Sequence, residues 1–373
     1  MPKIAIIGTT TWGITLGVML ARKGLQVRLW ARTEREAAKL RSAGSNPAVM
    51  LNDATLFSSS QVLVTSSLAE ALDDVKLLIL AVPSQTMRQN IKVVKDYLNG
   101  SMLVASAAKG LELGSNKRMS QVIAEEIDPR FWSNICVLSG PNLSREIVRG
   151  LPAATVVAAE TEAVARIAQR LVATPNLCVY TNTDVVGVEL GGALKNIIAL
   201  GAGMADGLGY GDNAKAAFIT RGLTEMTALG VALGANPLTF SGLAGLGDLI
   251  ATSASPLSRN HYVGVELAKG RSLEEITASM TEVAEGVTTT IAARNLARQL
   301  GLEMPITEKI YQVLCEGVDP RQAAAELMAA ETKHELAGRK WKLFSFLRRR
   351  RRSSAYLSTS PPDPPSPLKG EEK

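Results

Sequence analysis

Residues 3–13 read Lys-Ile-Ala-Ile-Ile-Gly-Thr-Thr-Thr-Trp-Gly, a short apolar run followed at once by a turn that begins and ends with glycine. Such a run predicts a buried strand, and the stretch Gly13–Lys23 that follows it has the apolar spacing of a helix. The segment is therefore a strand–turn–helix unit. We expect no signal peptide, because the strand begins almost at Met1.

The same alternation of apolar runs and helical stretches continues to about residue 182, which is typical of a doubly wound parallel sheet. The predicted strands are Lys3–Ile7, Gln26–Trp30, Gln61–Val64, Lys76–Val82, Met102–Ala105, Asn134–Leu138, Ala154–Ala159 and Leu177–Tyr180. From Thr183 onward we find helical patterns and no convincing strand. We therefore expect an α/β domain over 1–182, an all-α domain over 183–338, and a disordered tail over 339–373.

Charge and composition limit the classes of function. The chain of 373 residues has a net charge of +6, but residues 339–373 hold ten Lys/Arg and three Asp/Glu, so the remainder is close to −1. The body therefore has no nucleic-acid signature. Its apolar runs are far shorter than the roughly 18 residues of a membrane span. Three scattered cysteines and two histidines predict no disulfide framework and no metal site, which favours a reducing cytoplasm.

The first turn matches the first and third glycines, Gly8 and Gly13, of the dinucleotide fingerprint G-x-G-x-x-G, with Thr10 at the middle position. In that motif the pyrophosphate lies at a helix N-terminus, where free N–H groups and the helix dipole favour an anion. The context predicts a Rossmann-type domain that binds NAD(P)H. The alternative is an ordinary strand-to-helix turn in which the glycines serve packing alone.

The second predicted strand is followed by Ala31 and Arg32, with no carboxylate at its tip. An acid there binds the ribose 2′-hydroxyl of NAD, whereas an arginine accommodates the 2′-phosphate of NADP. Arg32 therefore favours NADP, or use of both cofactors. The alternative is a solvated loop charge.

Two lysines lie where chemistry is expected. Lys109 follows the fifth predicted strand, and ligands of open parallel sheets bind at the carboxyl ends of strands. Lys195 lies in an apolar helix, where burial or a second ammonium such as Lys109 lowers the pKa of a lysine toward the range of a general acid. The alternatives are a surface lysine at 109 and, at 195, a lysine whose ammonium extends to solvent.

Three other motifs offer polar groups. Ser139-Gly-Pro-Asn142 predicts a tight turn in which Asn142 caps the next helix or binds a ligand. Residues 242–248, Gly-Leu-Ala-Gly-Leu-Gly-Asp, predict a glycine-rich loop whose Asp248 fixes a lysine. Ser258-Arg-Asn260 opens a helix with an arginine fork and amide donors suited to phosphate.

Together these segments closely resemble the bacterial-type NAD(P)-dependent glycerol-3-phosphate dehydrogenases over roughly residues 1–330. The resemblance rests on Ala108-Lys-Gly-Leu-Glu112, Ser139-Gly-Pro141, Gly187-Val-Glu-Leu-Gly-Gly-Ala-Leu-Lys-Asn196, Gly201-Ala-Gly-Met-Ala-Asp-Gly207, Ile219-Thr-Arg-Gly-Leu-Thr-Glu-Met226, Ala244-Gly-Leu-Gly-Asp-Leu249, Ser258-Arg-Asn260 and Glu303-Met-Pro-Ile-Thr-Glu308. It implies the reversible reduction of dihydroxyacetone phosphate to sn-glycerol 3-phosphate, which supplies phospholipid synthesis.

The resemblance also implies that residues 1–182 are the dinucleotide-binding domain and residues 183–338 the substrate and catalytic domain, and it implies roles for particular residues. Lys195 is the catalytic acid and base, Lys109 holds substrate and cofactor, and Asp248 orients Lys195. The implied substrate-binding residues are Lys109, Gly140, Asn142, Lys195, Asp248, Ser258, Arg259 and Asn260. The implied cofactor-binding residues, with the fingerprint, are Gly8, Thr10, Thr11, Trp12, Gly13, Arg32, Lys109, Ser144, Arg259, Val283 and Glu285.

The chain departs from the family pattern at Thr10, at Asn142 and in the segment after Gly338, which has no counterpart. Two other functions fit parts of the sequence: a related dehydrogenase of β-hydroxy acids, and, because of Thr10, a non-catalytic nucleotide-binding protein. For partners we hypothesise a homodimer. The tail, with an apolar residue at every third position from Trp341 to Leu347 beside basic residues, suggests weak association with anionic membranes; the alternative is a disordered extension.

Overall fold

The computed structural model describes residues 1–42 and 61–329. In these residues eight strands form one sheet with the order β3-β2-β1-β4-β5-β6-β7-β8. The strands are β1 (Lys3–Ile7), β2 (Gln26–Trp30), β3 (Val62–Thr65), β4 (Val75–Leu80), β5 (Leu103–Ser106), β6 (Ile135–Ser139), β7 (Ala153–Ala159) and β8 (Leu177–Asn182). Neighbouring strands are parallel except β6 and β7, which run antiparallel. The predicted parallel sheet is confirmed, with one antiparallel pair that apolar runs do not reveal.

Helices cover both faces of this sheet. They are α1 (Thr11–Arg22), α2 (Glu34–Ser42), α3 (Leu68–Leu72), α4 (Met87–Val94), α5 (Met119–Glu126), α6 (Ser144–Val148) and α7 (Glu162–Val172). Alternate residues of β1 enter opposite layers of the core: Ile4 and Ile6 lie in the cluster that includes α1, whereas Ala5 and Ile7 lie in the cluster that includes α4. Both faces of β1 are thus buried, which explains its continuous apolar run.

After Asn182 the described chain is helical. Its helices are α8 (Val185–Gly207), α9 (Gly211–Ala232), α10 (Pro237–Phe240), α11 (Asp248–Ala254), α12 (Arg259–Ala268), α13 (Leu273–Ser279), α14 (Glu285–Gln299), α15 (Pro305–Cys315) and α16 (Pro320–Ala329). Helix α8 packs against α9, α11, α12 and α14. It is long and apolar enough to cross a membrane, but 83% of its most apolar stretch of 18 residues is buried inside the protein. It is therefore the core helix of this part.

The predicted glycine-rich loop at 242–248 is wrong. Residues Leu243–Gly247 form a π-helical turn that continues directly into α11. The glycines serve close packing here: a Cβ on Gly191 of α8 would lie 2.5 Å from the carbonyl oxygen of Ala244, and a Cβ on Gly245 would lie 2.2 Å from that of Phe240. The turn thus approaches α8 closely enough to bring Asp248 beside it.

The start of α8 is fixed by Asp184. One carboxylate oxygen accepts a hydrogen bond from the N–H of Gly187 at 2.8 Å, which caps the helix. The other accepts from the N–H of Asn236 at 2.9 Å and from the hydroxyl of Thr239 at 2.7 Å. One side chain therefore joins the N-terminus of α8 to the segment that precedes α11.

We predict that Asp184→Ala lowers the free energy of unfolding by about 2–4 kcal/mol, because it removes a helix cap and leaves two further donors without their acceptor. Asp184→Asn keeps an acceptor oxygen, so it should lower the free energy of unfolding by less than half as much. Guanidinium unfolding followed by circular dichroism measures both changes. An Asp184→Ala protein as stable as the wild type would contradict this role.

Candidate functional site

Two lysines share one buried carboxylate where the carboxyl edge of the sheet meets α8. Lys195 lies on α8, Asp248 is the first residue of α11, and Lys109 follows β5. The Nζ of Lys195 lies 2.6 Å from Oδ1 of Asp248, and the Nζ of Lys109 lies 2.7 Å from Oδ2. Asp248 is 1% exposed and Lys195 is 6% exposed. The sequence indicated the pairing of Asp248 with a lysine, and the structure brings both lysines to it.

Burial lowers the pKa of Lys195 from 10.5 to about 8. The removal of its ammonium from water is the largest cause, and the positive charges of Lys109 and Arg259 act in the same direction. The carboxylate of Asp248 opposes them and raises the pKa. Lys195 is thus a proton donor that also has an accessible neutral form near physiological pH.

Thr252 is a further partner of Lys195 that the sequence did not indicate. Its Oγ1 accepts a hydrogen bond from the Nζ of Lys195 at 2.5 Å and lies 3.2 Å from Oδ1 of Asp248. Because an ammonium has three N–H donors, Asp248 and Thr252 leave one proton of Lys195 for a ligand. Thr252 stands four residues after Asp248, so the two side chains lie on the same face of α11. This neighbourhood could not be predicted from a sequence in which no helix was expected there.

The turn after β6 holds Lys109 in place. The carbonyl oxygen of Gly140 accepts a hydrogen bond from the Nζ of Lys109 at 2.7 Å. Gly140 has φ +150°, and a Cβ there would lie 2.9 Å from Cα of Thr155, so only glycine fits. The prediction that Asn142 caps the next helix is wrong. Its Nδ2 donates a hydrogen bond to Oγ1 of Thr155 at 3.0 Å, and the N-cap residue of α6 is Leu143, which makes no side-chain cap. The buried Oδ1 of Asn142 has no protein donor in the described residues.

A chain of amides connects this turn to the helical part. Asn196, beside Lys195, donates from Nδ2 to the carbonyl oxygen of Lys109 at 3.0 Å. Asn260 donates to Oδ1 of Asn196 at 2.9 Å and accepts from the N–H of Gly286 at 2.9 Å. The predicted substrate residue Asn260 thus contacts protein groups on both its side-chain atoms. The neighbouring Ser258 caps α12 and accepts from the N–H of His261.

The fingerprint turn has the geometry of an anion site. Gly8 has φ +118°, and a Cβ there would lie 2.4 Å from the carbonyl oxygen of Ala81, so this position requires glycine. The hydroxyl of Thr10 donates to the same oxygen of Ala81 at 2.8 Å and accepts from the N–H of Gly13 at 3.2 Å. Thr10 is therefore the N-cap of α1, and its side chain is held within the turn.

A carboxylate already occupies the N-terminus of α1. Glu282, in the segment before α14, accepts hydrogen bonds from the N–H of Thr11 at 3.1 Å and from the hydroxyl of Thr11. Arg259 lies 3.5 Å from the other oxygen of Glu282 and donates to the carbonyl oxygen of Val283 at 2.9 Å. The carboxylate is a stand-in anion where the pyrophosphate binds in dinucleotide-binding folds. The turn thus fits NAD(P)H, and the buried Nε1 of Trp12, which has no acceptor in the described residues, is a further donor beside it.

The remaining predicted cofactor residues are dispersed around this cleft. Glu285 is the first residue of α14 and accepts from the N–H of Ser84 at 2.8 Å and from its hydroxyl. Burial raises the pKa of Glu285. Ser144 is the first residue of α6, and Val283 is half exposed. Arg32 is exposed, and in the described residues only its backbone N–H has a side-chain partner, Glu36. Neither Glu36 nor Glu282 was predicted as a site residue from the sequence, because their contacts depend on the fold.

Comparisons with known proteins identify the family to which both parts of the chain are similar. The family model for the N-terminus of NAD-dependent glycerol-3-phosphate dehydrogenase matches residues 3–165, and the model for the C-terminus of the same family matches residues 184–325. A glycerol-3-phosphate dehydrogenase [NAD(P)+] of Dehalococcoides mccartyi strain 195 is 64% identical over 94% of this chain and 97% of its own length. This match spans 351 residues and so extends past Gly338, which shows that the prediction of no counterpart after Gly338 is wrong for the first part of that segment. That of Moorella thermoacetica is 47% identical over 91% of this chain and 99% of its own.

A solved structure shows the same likeness in three dimensions. The crystal structure of glycerol-3-phosphate dehydrogenase from Coxiella burnetii matches with a TM-score of 0.80 and 33% sequence identity, over 88% of this chain and 99% of that one. The match covers both the sheet and the helical part.

We predict that Thr10→Val weakens the start of α1 by about 1 kcal/mol, because the cap to Gly13 and the donor to Ala81 are lost. Amide hydrogen exchange of the peptide over residues 8–16 should become about fivefold faster, since each 1.4 kcal/mol corresponds to tenfold. Thr10→Ser keeps the hydroxyl and should exchange like the wild type. Equal exchange in Thr10→Val and the wild type would rule out the cap.

Proposed function

The chain belongs to the family of NAD-dependent glycerol-3-phosphate dehydrogenases, and we propose that it catalyses the reversible reduction of dihydroxyacetone phosphate to sn-glycerol 3-phosphate with NAD(P)H. The buried pair of lysines on Asp248 is the main support for this mechanism, because it lowers the pKa of Lys195 to about 8. The product is a building block for phospholipid synthesis.

Lys195 acts as the general acid in reduction. As the C2 carbonyl of dihydroxyacetone phosphate becomes an alkoxide, the free N–H of Lys195 donates its proton to the oxygen. In the reverse direction the neutral amine removes the proton from the C2 hydroxyl of glycerol 3-phosphate. Asp248 and Thr252 hold the Nζ in one position, so that proton transfer needs little reorganisation.

Lys109 and the start of α12 bind the remaining polar groups of the substrate. Lys109 has one N–H left after Gly140 and Asp248, and it offers a second positive charge to the substrate oxygens. Ser258 and Arg259 stand at the N-terminus of the ten-residue helix α12, where a hydroxyl, a guanidinium and the helix dipole suit a phosphate. The oxygen Oδ1 of Asn142 is an acceptor for a substrate hydroxyl.

The fingerprint turn and the segment around Glu282 bind the cofactor. The nicotinamide, when bound, supplies the hydride to C2. Thr11 and Trp12 offer donors to the pyrophosphate, and Glu282 must leave Thr11 before a second anion binds there. Arg259 stands at the start of α12 and is linked through Glu282 to Thr11, and this position between the two sites supports the predicted role of Arg259 for both substrate and cofactor. Ser144, Val283 and Glu285 remain predicted cofactor contacts.

The location and assembly of the protein are part of the same proposal. We place the activity in the cytoplasm, where reduced nicotinamide cofactors and the substrate are present, and we keep the homodimer as a prediction. The tail at 339–373, with its predicted attraction to anionic membranes, lies outside the described residues. Co-sedimentation of the full chain and of residues 1–338 with anionic vesicles tests it, and equal pelleting would contradict it.

We predict that Lys195→Met lowers kcat for reduction by at least about 10³-fold, because the proton donor is lost without loss of volume. The consumption of NADH or NADPH after addition of dihydroxyacetone phosphate measures it. A panel of substrates that includes β-keto acids tests the alternative that the chain is a related dehydrogenase of β-hydroxy acids. Turnover of Lys195→Met at the wild-type rate would remove Lys195 from its role.

We predict opposite pH profiles for the two directions. Reduction needs the ammonium of Lys195, so kcat/KM for reduction, which reports the ligand-free protein, should fall as pH rises through about 8. Oxidation needs the amine, so kcat/KM for oxidation should rise through the same value. Asp248→Asn removes the charge that raises this pKa, and the reduction profile should move to lower pH. Profiles that fall together in both directions, or that Asp248→Asn leaves unmoved, would contradict the assignment.

A further inference from the structure

A carboxylate bridges the ends of the first two strands of the sheet. Glu36, in the first turn of α2, accepts a hydrogen bond from the hydroxyl of Thr9 in the fingerprint turn. Its other oxygen accepts from the backbone N–H of Arg32 at 3.1 Å, two residues after the end of β2. Because β1 and β2 pair with Ile7 opposite Trp30, Thr9 and Arg32 lie side by side at the carboxyl edge of the sheet.

This is the place at which dinucleotide-binding folds read the adenosine ribose. An acid about 20 residues beyond the fingerprint hydrogen-bonds the ribose 2′-hydroxyl there. Glu36 follows Gly13 by 23 residues, and it reaches the tip of β2 from the next helix although the tip itself carries no acid. A carboxylate has about four lone-pair sites, so Thr9 and Arg32 leave acceptor capacity for ribose hydroxyls.

We propose that Glu36 is the residue that determines cofactor specificity: it accepts hydrogen bonds from the adenosine ribose and excludes a 2′-phosphate, so that the chain prefers NADH to NADPH. This inference rests on the proposed function, since it concerns the cofactor of that reaction. It reverses the preference for NADP that Arg32 suggests in the sequence.

The structure favours Glu36 over Arg32 as the deciding charge. Glu36 is half-buried and held by two hydrogen bonds, whereas the side chain of Arg32 is exposed and has no hydrogen-bond or ion-pair partner in the described residues. A solvated guanidinium on a flexible stem is screened by water and salt. A fixed carboxylate beside the ribose retains its repulsion of a phosphate dianion and its attraction for a hydroxyl donor.

The test is the ratio of the dissociation constants for NADPH and NADH, measured by fluorescence titration without substrate. For the wild type we expect NADPH to bind at least about tenfold more weakly than NADH. Glu36→Gln keeps the shape and removes the charge, so it should lower that ratio by about tenfold or more, as expected for a charge-assisted hydrogen bond. Retained NADPH binding shows that the variant is folded.

Glu34→Gln is the matched control. Glu34 lies on the same helix and carries the same charge, but its carboxylate contacts Arg41 and Ser66 and not the fingerprint turn. We expect its ratio to equal that of the wild type, and we expect Arg32→Ala to change the ratio by less than Glu36→Gln does. A wild type that prefers NADPH, a Glu36→Gln ratio within twofold of the wild type, or an equal shift in Glu34→Gln would each overturn the proposal. Failure of the proposed function would instead appear as binding without reduction of dihydroxyacetone phosphate.

Discussion

The site depends on one carboxylate between two ammonium groups. Asp248 is buried, and each of its oxygens contacts a lysine, so the cluster of Lys109, Asp248 and Lys195 carries a net positive charge inside the protein. Burial and the second ammonium lower the pKa of Lys195, and the carboxylate limits that shift. Removal of one partner from a buried pair costs about 3–5 kcal/mol, so these three residues are coupled in stability as well as in chemistry. The balance among them places the pKa of Lys195 near 8.

The rest of the fold serves to position this cluster. The carboxyl edge of the sheet supplies Lys109, α8 supplies Lys195, and the π-helical turn before α11 supplies Asp248. Glycines permit the close approach of that turn to α8, and Asp184 fixes the N-terminus of α8. On the cofactor side, Glu282 joins Thr11 to Arg259 across the cleft. Lys109, Lys195 and Arg259 are thus each paired with a carboxylate, which offsets part of the repulsion between their positive charges.

Much of the fold could be predicted because it depends on local patterns. Continuous apolar runs located the strands, and the helical patterns found after Thr183 correspond to helices such as α8. The direction of β7 could not be predicted, since an apolar run reads the same in both directions. The π-helical turn Leu243–Gly247 was wrongly predicted as a loop, because glycines are typical of loops and of close packing alike, and only the contact with α8 distinguishes the two. The site was less predictable: Thr11 and Glu282 are 271 residues apart, and Glu36 reaches the ribose position from a neighbouring helix.

The protonation of Lys195 in the free protein is the most direct test. Lysine side chains labelled with ¹³C, titrated by nuclear magnetic resonance in the wild type and in Lys195→Met for assignment, report the pKa of its Nζ. A transition near 8, which moves lower in Asp248→Asn, is the predicted result. A Lys195 that titrates at the ordinary lysine value of 10.5 would contradict the central role of its buried cluster.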